Sequence, residues 1–134
     1  MKKLRAFWKD RTPQLGICEV KVIDFENNIA SISNGAVRVF PKLDEINIIR
    51  PTEITDSNGD EIYEGDYVKD EETIYIVHWN RNNTSFWLNP VKSLAKEDLF
   101  LMVLNNNQLG NGYFSRKDLT IIGNEYTSDI DTLS

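Results

Sequence analysis

One histidine, one cysteine and an acidic middle stretch are the residues of this chain best equipped for chemistry. His78 is the only histidine and Cys18 the only cysteine among 134 residues. A single cysteine forms no internal disulfide and no cysteine zinc set, and a single histidine excludes His-pair metal motifs. In a strand over Thr73–Asn80, His78 shares a face with Ile74 and Ile76, while Tyr75, Val77 and Trp79 take the other. No Ser or Asp lies close enough in sequence to suggest a triad with it. His78 therefore reads as a hydrogen-bonded structural residue, and Cys18, beside Ile17 and Val20, as a small buried hydrophobe.

The acids are concentrated. Glu53 to Glu72 holds nine acids and one base, Lys69, for a local charge of -8 in a chain of net -6. Lys2 to Arg11 holds five bases and one acid. Asp56, Asp60, Glu61, Glu64 and Asp66 could in principle surround a cation. An EF-hand counted from Asp56, however, needs Gly at its sixth position and Glu at its twelfth, where Glu61 and Tyr67 stand. No metal and no cofactor is expected. A net charge of -6 argues against broad nucleic-acid affinity, which depends on neutralising phosphates. The two charge runs read as solvated surface, with pairing between subunits as the alternative.

The elements that position these residues are mostly strands. Lys3–Trp8, Cys18–Phe25, Ile29–Ser33, Ala36–Phe40 and Glu45–Arg50 read as an N-terminal set, with Asn34-Gly35 as a two-residue hairpin signal. Thr55 to Asp60 divides this from a second set: Tyr67–Lys69, Thr73–Asn80, Thr84–Asn89 and Leu119–Ile122. Residues 90–104 carry a helix-start signal, Asn89 as cap and Pro90 at the first position, although Leu99–Leu104 could equally be strand. The expected class is mainly β or α+β: a β-rich subdomain over 1–55, a barrel subdomain over 56–126 with an inserted segment near 90–112, and a loose acidic tail over 127–134.

Tyr75, Trp79, Arg81 and Trp87 form the candidate interaction surface. If Phe86 and Leu88 fill a barrel, Trp87 points outward, toward Trp79 and Tyr75 on the neighbouring strand, and such an aromatic cluster would mark a contact surface. Two readings stay open: that surface is free to bind, or another part of the chain covers it.

The segment Asp56-Ser57-Asn58-Gly59-Asp60-Glu61-Ile62-Tyr63-Glu64-Gly65-Asp66-Tyr67-Val68 closely resembles the signature of the YopX family of phage and prophage proteins from Gram-positive bacteria. Leu4-Arg5-Ala6-Phe7-Trp8-Lys9-Asp10 is similar to the family's opening, and Ile121-Ile122-Gly123-Asn124-Glu125-Tyr126 to its close. The resemblance implies an N-terminal β or α+β subdomain, a C-terminal SH3-like barrel and self-association into a homo-oligomer. It implies no reaction. Within its signature, Asn58 and Gly59 fit a type I′ turn, and Gly65 permits the bend into a strand. Asp66 can accept backbone N–H bonds there, and Tyr63 belongs to the same motif.

The expected function is a non-enzymatic phage accessory protein, an oligomeric interaction module with a host or phage protein as its possible partner. One alternative is a small barrel binding single-stranded nucleic acid by stacking on Trp79 and Trp87, with Arg81 on phosphate. Between Ile74 and Val91 only Arg81 is basic, which leaves that barrel without an electrostatic funnel. A second alternative is an enzyme with an unrecognised site. No apolar run approaches the roughly 20 residues that span a bilayer, so no membrane role and a cytoplasmic location are expected.

Overall fold

Alternating apolar residues separated by turns build an almost purely β structure. A computed structural model describes residues 3–11, 15–71, 73–82, 84–93 and 119–133. The chain divides into two compact units, Met1–Pro51 and Thr52–Ser134. Among the described residues there is no α-helix, and no helix is long and apolar enough to cross a membrane.

Unit 1 is one antiparallel sheet of five strands: β1 (Arg5–Trp8), β2 (Ile17–Asp24), β3 (Ile29–Ser33), β4 (Arg38–Val39) and β5 (Ile46–Ile49), in the order β4-β3-β2-β1-β5. Ala6, Cys18, Ala30, Ile32 and Ile46 are buried on one face, with Trp8, Val20, Val39 and Ile48 packed against them. The small Ala6 and Ala30 lie among large aliphatics, as interdigitation requires. Burial pushes the Cys18 thiol up from its ordinary pKa, consistent with a packing role. The hairpin at Asn34-Gly35 forms, but with four loop residues rather than two. Ser33 pairs with Arg38, and the Asn34 carboxamide oxygen accepts the N–H groups of Ala36 and Val37. Only Gly35 has positive φ there, so the primed two-residue turn is not made. Val37 consequently sits in the loop rather than beside Val39 on the sheet.

Unit 2 holds β6 (Pro51–Thr55), which begins on the last residue of unit 1, paired with β7 (Glu61–Tyr63), and a four-stranded antiparallel sheet. The latter comprises β8 (Asp66–Lys69), β9 (Thr73–Asn80), β10 (Ser85–Ser93) and β11 (Thr120–Asn124), in the order β10-β9-β8-β11. Its core is Ile62, Val68, Tyr75, Val77, Leu88 and Leu119. The mainly-β class holds; among the described residues the sheet is open, and no ladder closes it as an SH3-like barrel.

Three expectations change. The helix start at Asn89 and Pro90 is overturned: β10 continues to Ser93, pairing Pro90 with Tyr75 and Ser93 with Thr73. Pro90 is tolerated because β10 is an edge strand among the described residues, and its missing N–H coincides with a register shift. The rest of the 90–112 segment, with Leu99–Leu104, lies outside the described residues. β6 was not legible as a strand, since Pro51 opens it and Glu53 interrupts it at φ 67°. Lastly, Thr127–Leu133 is a hydrogen-bonded turn rather than a loose tail: Asp129 caps a 3₁₀ turn over Ile130–Thr132, and Lys92 Nζ donates to the Leu133 carbonyl at 2.7 Å.

Candidate functional site

The central motif is organised by Asp56, which is 4% exposed. Its Oδ1 accepts the N–H groups of Asn58 and Asp60, both at 2.9 Å, and its Oδ2 accepts the Ile121 N–H at 3.0 Å. Burial would raise this carboxyl's pKa, but the three backbone donors more than offset it and hold it below the ordinary aspartate value. Beside it, the Ser57 N–H donates to the Leu119 carbonyl, and the Ser57 and Thr120 hydroxyls share a bond. The loop between β6 and β7 is thereby tied to β11. Gly59 has φ 82°, whereas Asn58 does not reach positive φ, so a five-residue Asp-anchored loop replaces the expected type I′ turn.

Gly65 and Asp66 form the second half of the motif. Asp66, also buried, accepts the Tyr63 N–H at 2.8 Å. Gly65, at φ 86°, donates to the Val77 carbonyl and accepts from the Glu125 N–H. A Cβ there would stand 2.7 Å from the Tyr126 ring. The two most buried acids of the acidic stretch are thus engaged in holding backbone. Among the described residues, no three acidic, histidine or cysteine side chains are grouped to hold a metal ion.

The aromatic surface expected at Tyr75, Trp79, Arg81 and Trp87 is not one surface. The register pairs Phe86 with Trp79, Trp87 with His78 and Leu88 with Val77. Directly opposed residues share a face. Trp79 therefore lies on the face of Val77, Leu88 and Tyr75, its ring edge-on to Phe86 at a centroid separation of 4.9 Å. Trp87 lies on the opposite face with His78, its indole N–H donated to Ser85. Tyr75 is a core residue whose hydroxyl donates to Asp70. Arg81 is exposed in the β9–β10 turn. Sequence alternation predicted which residues share a strand face, but pairing two strands needs the register, and the four-residue connection after Asn80 fixes it.

The exposed large apolar side chains of the described residues all fall within 22–40: Val22, Phe25, Ile29, Val37 and Phe40. Phe25 is 81% and Phe40 65% exposed. Val22 pairs with Ser31. The β3–β4 register, continued by the Ala30 N–H to Pro41 carbonyl bond and the Ile29–Lys42 bridge, puts Phe40 on the other side of Ser31. Val22 and Phe40 thus flank Ser31 on the face opposite the core of unit 1. Sequence reading passed over this group because its members are spaced like ordinary strand residues.

The family model described as YopX protein matches residues 3–129. The chain belongs to the YopX family. Comparison with curated proteins gives no significant match. The YopX match extends from β1 through Asp129, so it takes in both the Asp56 loop and the apolar group of unit 1.

Proposed function

We propose that this YopX-family chain is a non-enzymatic, phage-type accessory protein that works as an oligomeric interaction module in the cytoplasm of a bacterial host. The observation that carries the reading is that, among the described residues, the exposed large apolar side chains all fall within residues 22–40 of unit 1. Apolar groups gathered on β2 and β3 and on the turns and loop beside β2, β3 and β4 suit protein contact. The use of Asp56 and Asp66 as backbone acceptors supports a structural reading of the acidic motif. Separation of Trp79 from Trp87 removes the two-ring platform that base stacking would use. Size-exclusion chromatography with light scattering, read at protein and nucleic-acid wavelengths, tests the proposal. A discrete oligomer free of nucleic acid is expected. A monomer carrying nucleic acid that high salt removes would refute it.

A further inference from the structure

We infer that β4 is a seam at which two copies of this chain pair, antiparallel about a two-fold axis through Val39. The inference rests on the reading of the chain as an oligomeric module and names its surface. Backbone alternation carries it. The Asn34 N–H bonds the Val37 carbonyl, and the Ala30 N–H bonds the Pro41 carbonyl. Residues 37 and 41, and Val39 between them, therefore turn their backbone groups toward β3. Arg38 and Phe40 turn theirs away, and β4 is the outermost strand of the sheet. Among the described residues these four outward groups have no hydrogen-bond partner, and such an edge is a template for another strand.

The edge complements itself. With Val39 opposite Val39 of the second copy, Arg38 falls opposite Phe40 of the second copy, and the reverse. Each such pair exchanges two N–H to carbonyl bonds, so symmetry gives four. The side chains agree with the backbone. Val39 packs toward the core of unit 1, so Arg38 and Phe40 share the outer face. Arg38 Nε donates to the Ser31 hydroxyl on β3, so its guanidinium lies on that face but is turned inward, and pairing across the seam exchanges this bond for a contact with the second copy. Phe40, 65% exposed, offers a ring for the second copy's guanidinium to cover. An extended segment of a different protein would find the same backbone edge but not this matched Arg–Phe exchange.

Sedimentation velocity over a concentration series, on the full chain and two variants at the exposed Phe40, tests the seam. Phe40→Lys places like charges opposite each other twice and is expected to weaken the dimer about tenfold or more. Phe40→Glu sets a carboxylate opposite Arg38 and should keep the dimer, which loss of a merely apolar contact would not. Circular dichroism checks that both variants retain the sheet. Monomers for both variants would overturn the seam's register. Unchanged association of Phe40→Lys would overturn the seam while leaving an oligomer assembled elsewhere. A wild-type monomer at every concentration would overturn both the seam and the oligomeric reading.

Discussion

Asp56→Ala should cost unit 2 about 3 kcal/mol, and the reasoning can be followed donor by donor. The carboxylate accepts three backbone N–H groups while itself 4% exposed. Leaving a buried donor unpaired costs about 1–3 kcal/mol. The Asn58 and Asp60 donors lie in an exposed turn where water can replace the lost acceptor, so each contributes near the low end. The Ile121 donor lies within β11, part-buried, and contributes more. Asp56→Asn keeps one oxygen for the turn but aims an amide at the Ile121 N–H if the turn bonds are retained, and should fall between wild type and Asp56→Ala. Urea unfolding followed by fluorescence gives the energies, and amide exchange at Ile121 localises the loss. The carboxyl is held below its ordinary pKa, so its contribution is present above the unfolded value near 4 and lost as pH falls through the lower folded one. The acid limb of the stability profile should flatten in Asp56→Asn. A cost under about 1 kcal/mol for Asp56→Ala, with Ile121 exchange unchanged, would refute the role assigned to this side chain.

Two glycines of the motif separate backbone strain from crowding. Gly59→Ala meets nothing within 4 Å and should cost about 1 kcal/mol for its positive φ, whereas Gly65→Ala, facing the Tyr126 ring at 2.7 Å, should cost clearly more in the same thermal melts. Thr84 holds a β-branched side chain at φ 48°, so Thr84→Gly should raise stability by up to about 1 kcal/mol, and an unchanged midpoint would contradict that strain. Burial, then the Glu125 carboxylate, pushes the Tyr126 phenol well above the ordinary tyrosine range. Its contribution is intact below the unfolded pKa near 10 and is lost as pH rises toward the folded value. Ultraviolet titration should show phenolate formation in the folded chain lagging that of the urea-unfolded chain, and lagging less in Tyr126→Phe.

How much could be read in advance depended on range. β1, β2, β3 and β9 follow from local alternation of Val, Ile and aromatic residues, and their bounds sit within two residues of expectation. Both Asn-Gly pairs mark real turns, yet in each only the glycine takes positive φ, because Asn34 and Asp56 side chains organise wider loops. Pro90 looked like a helix start because cap signals are local, while its pairing with Tyr75 is a tertiary fact. The aromatic surface failed for the same reason: face sharing within a strand is visible in sequence, whereas the register between strands decides which rings meet. By residue type Asp56 suits a cation, although an aspartate two residues before Asn-Gly is also the pattern of a side chain bonding its own turn.

The bond from Ile121 to Asp56 spans 65 positions in the chain, and it imposes an order on synthesis. Unit 1 can complete its ladders as soon as Ile49 has emerged from the ribosome, since every strand it pairs lies before that point. Unit 2 must wait for Thr120–Asn124, because that strand flanks β8 and supplies the donor that the Asp56 carboxylate requires. During that interval a nascent chain would display β8 as a bare edge beside a buried acid lacking one partner. A stop before Thr120 would leave β8 without its β11 neighbour and the Asp56 carboxylate without its Ile121 donor.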